Sequence, residues 1–168
     1  MVHNYEREEN LIVIIDSRTM YRSGIKSNMQ SLIPDCTFLE RDSFNELPLD
    51  SIDATSVYFM IRIGNASDQT ILNNINKARL AQKSCKIILY DYQQSIHNIV
   101  EFFRKEINGY LPDDFNESEL RDCITSLAAN RIHVNLQITI ELVTAHIRTG
   151  AKKKPRLART ALKVPMYY

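Results

Sequence analysis

The sequence predicts an α/β domain, a parallel sheet with helices against both of its faces. Two patterns predict it. The runs Leu11–Ile15, Val57–Ile63 and Lys86–Tyr90 are nearly continuous in apolar residues and lack the alternation of a half-exposed strand, so they read as strands buried on both sides. Between them lie stretches whose apolar residues recur at helical spacing, and strands alternating with helices imply right-handed crossovers in one sheet.

Each element has its own signal. Leu11–Ile15 ends at Asp16 and gives the first strand. Residues 18–33 carry Met20, Tyr21, Ile25, Met29, Leu32 and Ile33 at helical spacing, and Pro34 closes that helix. Thr37–Glu40 makes a short second strand. Residues 42–53 form a loop-rich stretch with at most a weak helix, because Pro48 and several Asp, Asn and Ser residues interrupt any pattern. Val57–Ile63 is the third strand, and Ser67 caps a helix over residues 68–82. Lys86–Tyr90, ending at Asp91, is the fourth strand, and Ile96, Ile99, Val100 and Phe103 make one face of the helix behind it. Gly109–Leu111 is a short last strand. Asn116 opens a helix whose inner face is Leu120, Cys123, Ile124 and Leu127. Five strands and five helices in this order give a flavodoxin-like arrangement, with functional groups at the carboxyl ends of the strands. Residues 136–150 add a further helix ending at Gly150.

Composition narrows the class. The 168 residues are 44% hydrophobic and 24% charged, as in a soluble globular chain of one domain plus a short extension. No apolar run approaches the roughly 18 residues that cross a bilayer, and the start is polar and acidic rather than a signal peptide. Cys36, Cys85 and Cys123 are widely spaced and read as reduced thiols, which suits the cytoplasm. His97, His133 and His146 lack ligand spacing. The net charge of +1 conceals an asymmetry: residues 1–141 hold 14 Lys and Arg against all 20 Asp and Glu, whereas residues 142–168 hold seven basic residues and no acid. The chain therefore divides into a tail at 1–9, a domain at 10–135, the helix at 136–150 and a basic linker at 151–168.

In such a sheet the strand tips at Asp16, Met60 to Arg62, Asp91 and Pro112-Asp113 converge on one crevice. Two readings of its acids stand: carboxylates that hold a divalent cation, or strand-end aspartates that cap the following helices.

From Leu11 to about Val134 the chain resembles a receiver domain of the NarL/FixJ class, whose members carry a LuxR-type helix-turn-helix behind the receiver. The residues that carry the likeness are Ile14-Ile15-Asp16-Ser17-Arg18-Thr19-Met20-Tyr21-Arg22-Ser23-Gly24-Ile25 and Gly109-Tyr110-Leu111. The resemblance implies a (βα)5 receiver whose phosphorylation pocket is damaged. Asp16 matches the first of the family's acidic pair, but Ser17 stands at the second. Met60, or Ile61 if the register slips by one, stands where the phosphoacceptor aspartate belongs, and no carboxylate occurs between Ala54 and Ser67. Asp91 replaces the Thr or Ser that senses the phosphoryl group, and Asp113 replaces its lysine. Phosphoryl transfer needs a nucleophilic carboxylate, a cation and a basic side chain. This set lacks the nucleophile and adds negative charge where a phosphate would sit. Arg62 is the cation close by in sequence, able to pair with Asp16, Asp91 or Asp113. Tyr110 matches the family's switch-like aromatic.

The implied function is that of a phosphorylation-independent receiver in a LuxR/FixJ-type transcription regulator. It would act in homodimerisation or contact with other regulatory proteins, and control DNA binding by a helix-turn-helix beyond this chain. No catalytic residue, metal or cofactor and no membrane contact is expected. Lys152, Lys153, Lys154, Arg156 and Arg159 are candidate phosphate or DNA contacts, or a solvated linker. The competing reading is a stand-alone pseudo-receiver that senses a small molecule or second messenger. A metal-dependent phosphohydrolase is disfavoured, because Asp16-Ser17-Arg18 lacks a second acid two residues on.

Overall fold

A computed structural model describes residues 10–92 and 96–150. Five parallel strands, β1 (Asn10–Ile15), β2 (Cys36–Arg41), β3 (Ser56–Gly64), β4 (Lys86–Tyr92) and β5 (Gly109–Leu111), form one sheet in the order β2-β1-β3-β4-β5. Helices α1 (Thr19–Leu32), α2 (Asp68–Ala81), α3 (Ile96–Arg104), α4 (Glu117–Ala128) and α5 (Leu136–Gly150) complete the fold.

The apolar strands are buried on both faces because period-two side chains feed two separate cores. Ile12, Ile14, Tyr58, Met60, Ile88 and Tyr90 point to one face, where α1 brings Ile25 and Met29 and α4 brings Leu120, Cys123, Ile124 and Leu127. Val13, Ile15, Phe59, Ile61, Ile87 and Leu89 point to the other, against Ile71, Ile75 and Ala78 of α2, Ile99 and Phe102 of α3, and Ile138 of α5. The expected flavodoxin-like sheet with helices on both faces is the one observed.

Local signals explain the element ends. Ser67 caps α2 by accepting from the Thr70 backbone N–H at 3.2 Å. Asn116 and Glu119 form a reciprocal capping box at the start of α4. The stretch expected to be loop-rich with at most a weak helix is just that. Residues 42–53 make only two single turns of 3₁₀ helix, Phe44–Glu46 and Leu49–Ser51, because Pro48 between them has no N–H to continue a helical ladder. Of this stretch Phe44 is buried, its ring tilted against that of Phe59 at a centroid separation of 6.4 Å.

Parallel register aligns the strand tips. Ile15 stands beside Ile61, so Asp16 and Arg62 leave the sheet side by side, and Arg62 stands beside Tyr90 of β4. Asp91 follows in the left-handed region, at φ 57°, a conformation that Asp tolerates better than most residues.

Candidate functional site: the strand-tip crevice

The crevice gathers three carboxylates and two guanidinium groups. Asp16, with no exposed side-chain surface, is the centre. One of its oxygens accepts from the Arg18 backbone N–H at 2.8 Å and from Arg18 Nε at 3.1 Å. The other accepts from Arg18 Nη2 at 2.9 Å and from the Tyr90 hydroxyl at 2.8 Å. Burial opposes ionisation of this carboxyl, but the Arg18 side chain, the Arg18 N–H and the Tyr90 hydroxyl together outweigh it and hold Asp16 below the ordinary carboxylate range. The same contacts raise Arg18 above the usual arginine value, chiefly through its hydrogen bond to Asp16. Burial, with the adjacent Asp16 charge, pushes the Tyr90 phenol well up. Tyr90 is therefore a neutral donor, held edge-on by Phe115 at a ring separation of 5.7 Å.

The second buried acid, Asp91, accepts from Arg62 Nε at 2.6 Å and lies 3.8 Å from Arg18 Nη2. Arg62 also approaches Asp16 to 3.9 Å. Asp113, about half exposed, takes the outer arm of Arg18 at 3.1 Å. The Arg18 guanidinium thus bridges all three acids, with its plane 3.8 Å from the Tyr21 ring centre. Arg22 braces the loop by donating to the Asp16 carbonyl and to Asp42. Gly64 makes room for the second guanidinium: at φ +53°, a Cβ there would meet Arg62 atoms at 3.1–3.2 Å.

The structure brings together four of the six crevice residues expected from sequence, Asp16, Arg62, Asp91 and Asp113, as one charge network. Ser17 borders an adjoining cavity of about 240 Å³, lined also by Asp42, Ile61, Arg62, Thr70 and Asn74. Met60 does not reach the crevice. It is fully buried in the opposite core against α1 and α4, and Ile61, Arg62 and Ile63 are the β3 residues at the cavity. Tyr110 is buried among the α3 and α5 residues, with its backbone N–H bonded to the His133 carbonyl at 3.0 Å. Lys152, Lys153, Lys154, Arg156 and Arg159 lie outside the described residues.

Arg18 and Tyr90 are the contributors that sequence reasoning missed. A signal for Arg18 was present. It lies two residues past a strand-end Asp, where its own N–H caps that Asp and its side chain must project over the strand tips. Tyr90 carried no such signal, since an aromatic residue in a buried strand reads as packing.

No family model matches the chain. The nitrate/nitrite response regulator protein NarL of Escherichia coli (strain K12) is 22% identical over 133 residues, which cover 79% of this chain and 61% of NarL. Among solved structures, a two-component response regulator of the LuxR family from Aurantimonas sp. SI85-9A1 superposes with a TM-score of 0.66 at 15% identity, covering 82% of this chain and 97% of that one. The isolated REC domain of RcsB from Salmonella enterica serovar Typhimurium, with the phosphomimetic BeF3⁻, gives 0.62 at 15% identity, covering 77% and 95%. The chain has the receiver fold and is similar to the receiver part of NarL and of LuxR-family response regulators. Salmonella RcsB bound to the promoter P1flhDC also matches, at a TM-score of 0.65 and 16% identity, covering 87% of this chain and 71% of that one. Aligned residues span about three fifths of NarL, so what a whole regulator does is a separate matter.

The receiver fold implies a divalent cation at this crevice, and the residues present do not fit one. Both Asp16 oxygens are already engaged by Arg18 and Tyr90, and Asp91 faces Arg62. Among the described residues no group of three His, Cys, Asp or Glu side chains is placed to hold a metal. A cation entering between Asp16 and Asp91 would have to displace a guanidinium that is already in place, against like-charge repulsion. No described helix is long and apolar enough to cross a membrane.

Proposed function

We propose that this receiver works without aspartyl phosphorylation, as an interaction and dimerisation module that controls DNA binding by a helix-turn-helix domain beyond this chain. One observation carries the reading: Arg18 and Arg62 occupy the strand-tip crevice as internal counter-ions of Asp16 and Asp91, and β3 offers Ile61 and Arg62 there instead of a carboxylate. A phosphoryl group needs an acceptor oxygen and a cation to offset its charge. This crevice supplies no acceptor on β3, and its two cations are committed to buried acids.

The regulator class of NarL, and the promoter-bound state of RcsB, support the DNA-linked role. In this reading Lys152, Lys153, Lys154, Arg156 and Arg159 form a basic linker toward the DNA-reading part. The domain itself carries out no reaction and needs no cofactor. Its setting is the cytoplasm.

The test is direct. The chain is incubated with acetyl phosphate and Mg²⁺, and separately with beryllofluoride and Mg²⁺, then examined by intact-mass spectrometry and amide NMR. The expected result is no added mass and no shift at Asp16, Arg62 or Asp91. A stoichiometric adduct, or saturable shifts centred on the crevice, would reject the proposal.

A further inference from the structure

The cavity that adjoins the crevice lies between the tips of β1 and β3, the loop after β2 and the first two turns of α2, and encloses about 240 Å³. Ile15, Ile61, Ile63 and Phe44, all buried, line it on the apolar side, and Ser17, Asp42, Arg62, Thr70 and Asn74 on the polar side. The Thr70 hydroxyl is shared with that of Ser67 at 2.9 Å. The other four groups keep hydrogen-bonding capacity to spare. Arg62 commits Nε to Asp91, and neither of its terminal nitrogens has a hydrogen-bond partner among the described residues. Asp42 accepts from Arg22 through Oδ1 and, among the described residues, from nothing at Oδ2. The Ser17 hydroxyl and the Asn74 carboxamide likewise have no hydrogen-bond partner among the described residues.

We infer that this cavity binds a small zwitterion, an α-amino acid, with its carboxylate on the terminal nitrogens of Arg62 and its ammonium group on Asp42. The inference rests on the phosphorylation-independent reading, and it names a non-covalent ligand for the receiver in place of a phosphoryl group. Three observations select that chemistry.

The first is charge. Around crevice and cavity stand four carboxylates, Asp16, Asp42, Asp91 and Asp113, and three guanidinium groups, Arg18, Arg22 and Arg62, a net of −1. Glu40 and Lys26, paired at 2.8 Å beside them, cancel. A bare anion such as phosphate would add to this excess of negative charge, and a bare cation would have to face Arg62. A molecule carrying both charges leaves the balance as it is and meets a group of opposite sign with each end.

The second is the match of donors and acceptors. The two terminal nitrogens of a guanidinium present parallel N–H groups to the two oxygens of a carboxylate, a geometry that a single ammonium point charge does not offer. The ligand's own ammonium group has three N–H donors. Asp42 Oδ2 takes one, and the Ser17 hydroxyl and the Asn74 carbonyl are the acceptors for the others. The third is size. The cavity falls below the roughly 300–1,000 Å³ of sites for drug-sized ligands, which leaves no room for a dinucleotide and suits a metabolite of a few heavy atoms. A short side chain on that metabolite would rest on Ile61 and Phe44.

Thermal melts and amide NMR of the full 168-residue chain, with each of the common L-amino acids in turn at millimolar concentration, test the site. The expected result is a Tm that rises with the concentration of one or a few short amino acids, and saturable shifts at Ser17, Asp42, Arg62 and Asn74. Acetate, ethylamine and inorganic phosphate at matched ionic strength should give neither, because each carries only one of the two charges. Asp42→Asn keeps an acceptor for Arg22 and removes the charge that meets the ammonium group, so it should weaken binding at least about tenfold. The Asp42 side chain is 61% exposed, and the melt of this variant without ligand should match wild type. Arg62→Lys keeps a cation for Asp91 but loses the paired nitrogens, and should weaken binding to a similar degree; if it fails to fold, Asp42→Asn decides alone. Binding of no amino acid, an equal response to acetate or phosphate, shifts centred away from the cavity, or an affinity unchanged in Asp42→Asn each overturns the inference. The same preparation carries the acetyl phosphate test. A phosphoryl adduct with amino-acid binding intact removes the phosphorylation-independent reading alone. Failure of binding without an adduct removes only this inference.

Discussion

Replacing Arg18 with Met removes the bridging guanidinium and keeps an unbranched side chain that can still lie over Tyr21. Asp16 would lose the bonds from Nε and Nη2 and keep those from the residue-18 N–H and the Tyr90 hydroxyl. Removing one partner of a fully buried pair costs about 3–5 kcal/mol. Here the loss is smaller, because two hydrogen bonds persist, Arg62 stands 3.9 Å away, and Arg18 is 26% exposed, so water can enter behind it. The expected cost is about 2–3 kcal/mol, or roughly 5–10 °C in Tm for a chain of this size. Asp113→Asn, which removes only the half-exposed acid on the outer arm, should cost no more than about 1 kcal/mol. Urea titrations at several pH values give a second, sharper reading. In the wild type the folded carboxyl of Asp16 titrates below its unfolded value of about 3.9, so its stabilisation is present above that pH and is lost as pH falls through the folded value. Without Arg18, burial dominates and pushes the folded value up, so the ionised carboxylate destabilises the variant at neutral pH. The gap between variant and wild type must therefore narrow in acid. A variant within about 0.5 kcal/mol of wild type at pH 7, or a gap that does not narrow, refutes the central role given to Arg18.

Two further outcomes follow from the same geometry. Tyr90→Phe should cost about 1.5–3 kcal/mol, the range for a hydrogen bond to a charged group. It should also move acid unfolding, followed by circular dichroism, to higher pH, because Asp16 is then less depressed. Gly64→Ala should cost about 1–3 kcal/mol through the left-handed backbone and the crowding of Arg62. Urea titration in an Arg62→Met background should show a smaller cost, the remainder being backbone strain alone.

Much of the fold was legible because its signals are local and redundant. Val57–Ile63 is too continuously apolar for a surface strand, and Ser67 and Asn116 mark their helix starts by side-chain chemistry. The stretch 42–53 was legible as a poor helix for the same reason, Pro48. The site was legible only in part. Strand ends place Asp16, Arg62 and Asp91 together in any sheet of this order. Which face Met60 takes, however, depends on a one-residue register, and a one-residue slip reverses every side chain of a strand. The structure sets that register by Ile15 beside Ile61. For Arg18 the only local signal was its place two residues past a strand-end Asp. A long flexible side chain in a loop has no periodicity, and its role is fixed by three acids from separate strand tips, the farthest 95 residues away in sequence. Helix α5 was visible as a mixed apolar pattern, but only the burial of Ile138 and the partial burial of Leu142 identify its core side.

Buried ion pairs are weak contributors to stability compared with apolar packing of the same volume, and their more general effect is to fix one arrangement against others. That distinction bears on how the crevice relates to α5. Arg62 and Arg18 hold Asp91 at the end of β4, and β4 leads into α3, which packs on α5. If the pairs set the end of β4 permanently, α3 keeps one seat against α5. A receiver switched by phosphoryl transfer needs two arrangements of similar free energy, with the added charge choosing between them. Here the choosing charges are part of the chain. In the proposed reading, self-association then answers to the concentration of the protein by mass action rather than to the chemical state of the crevice.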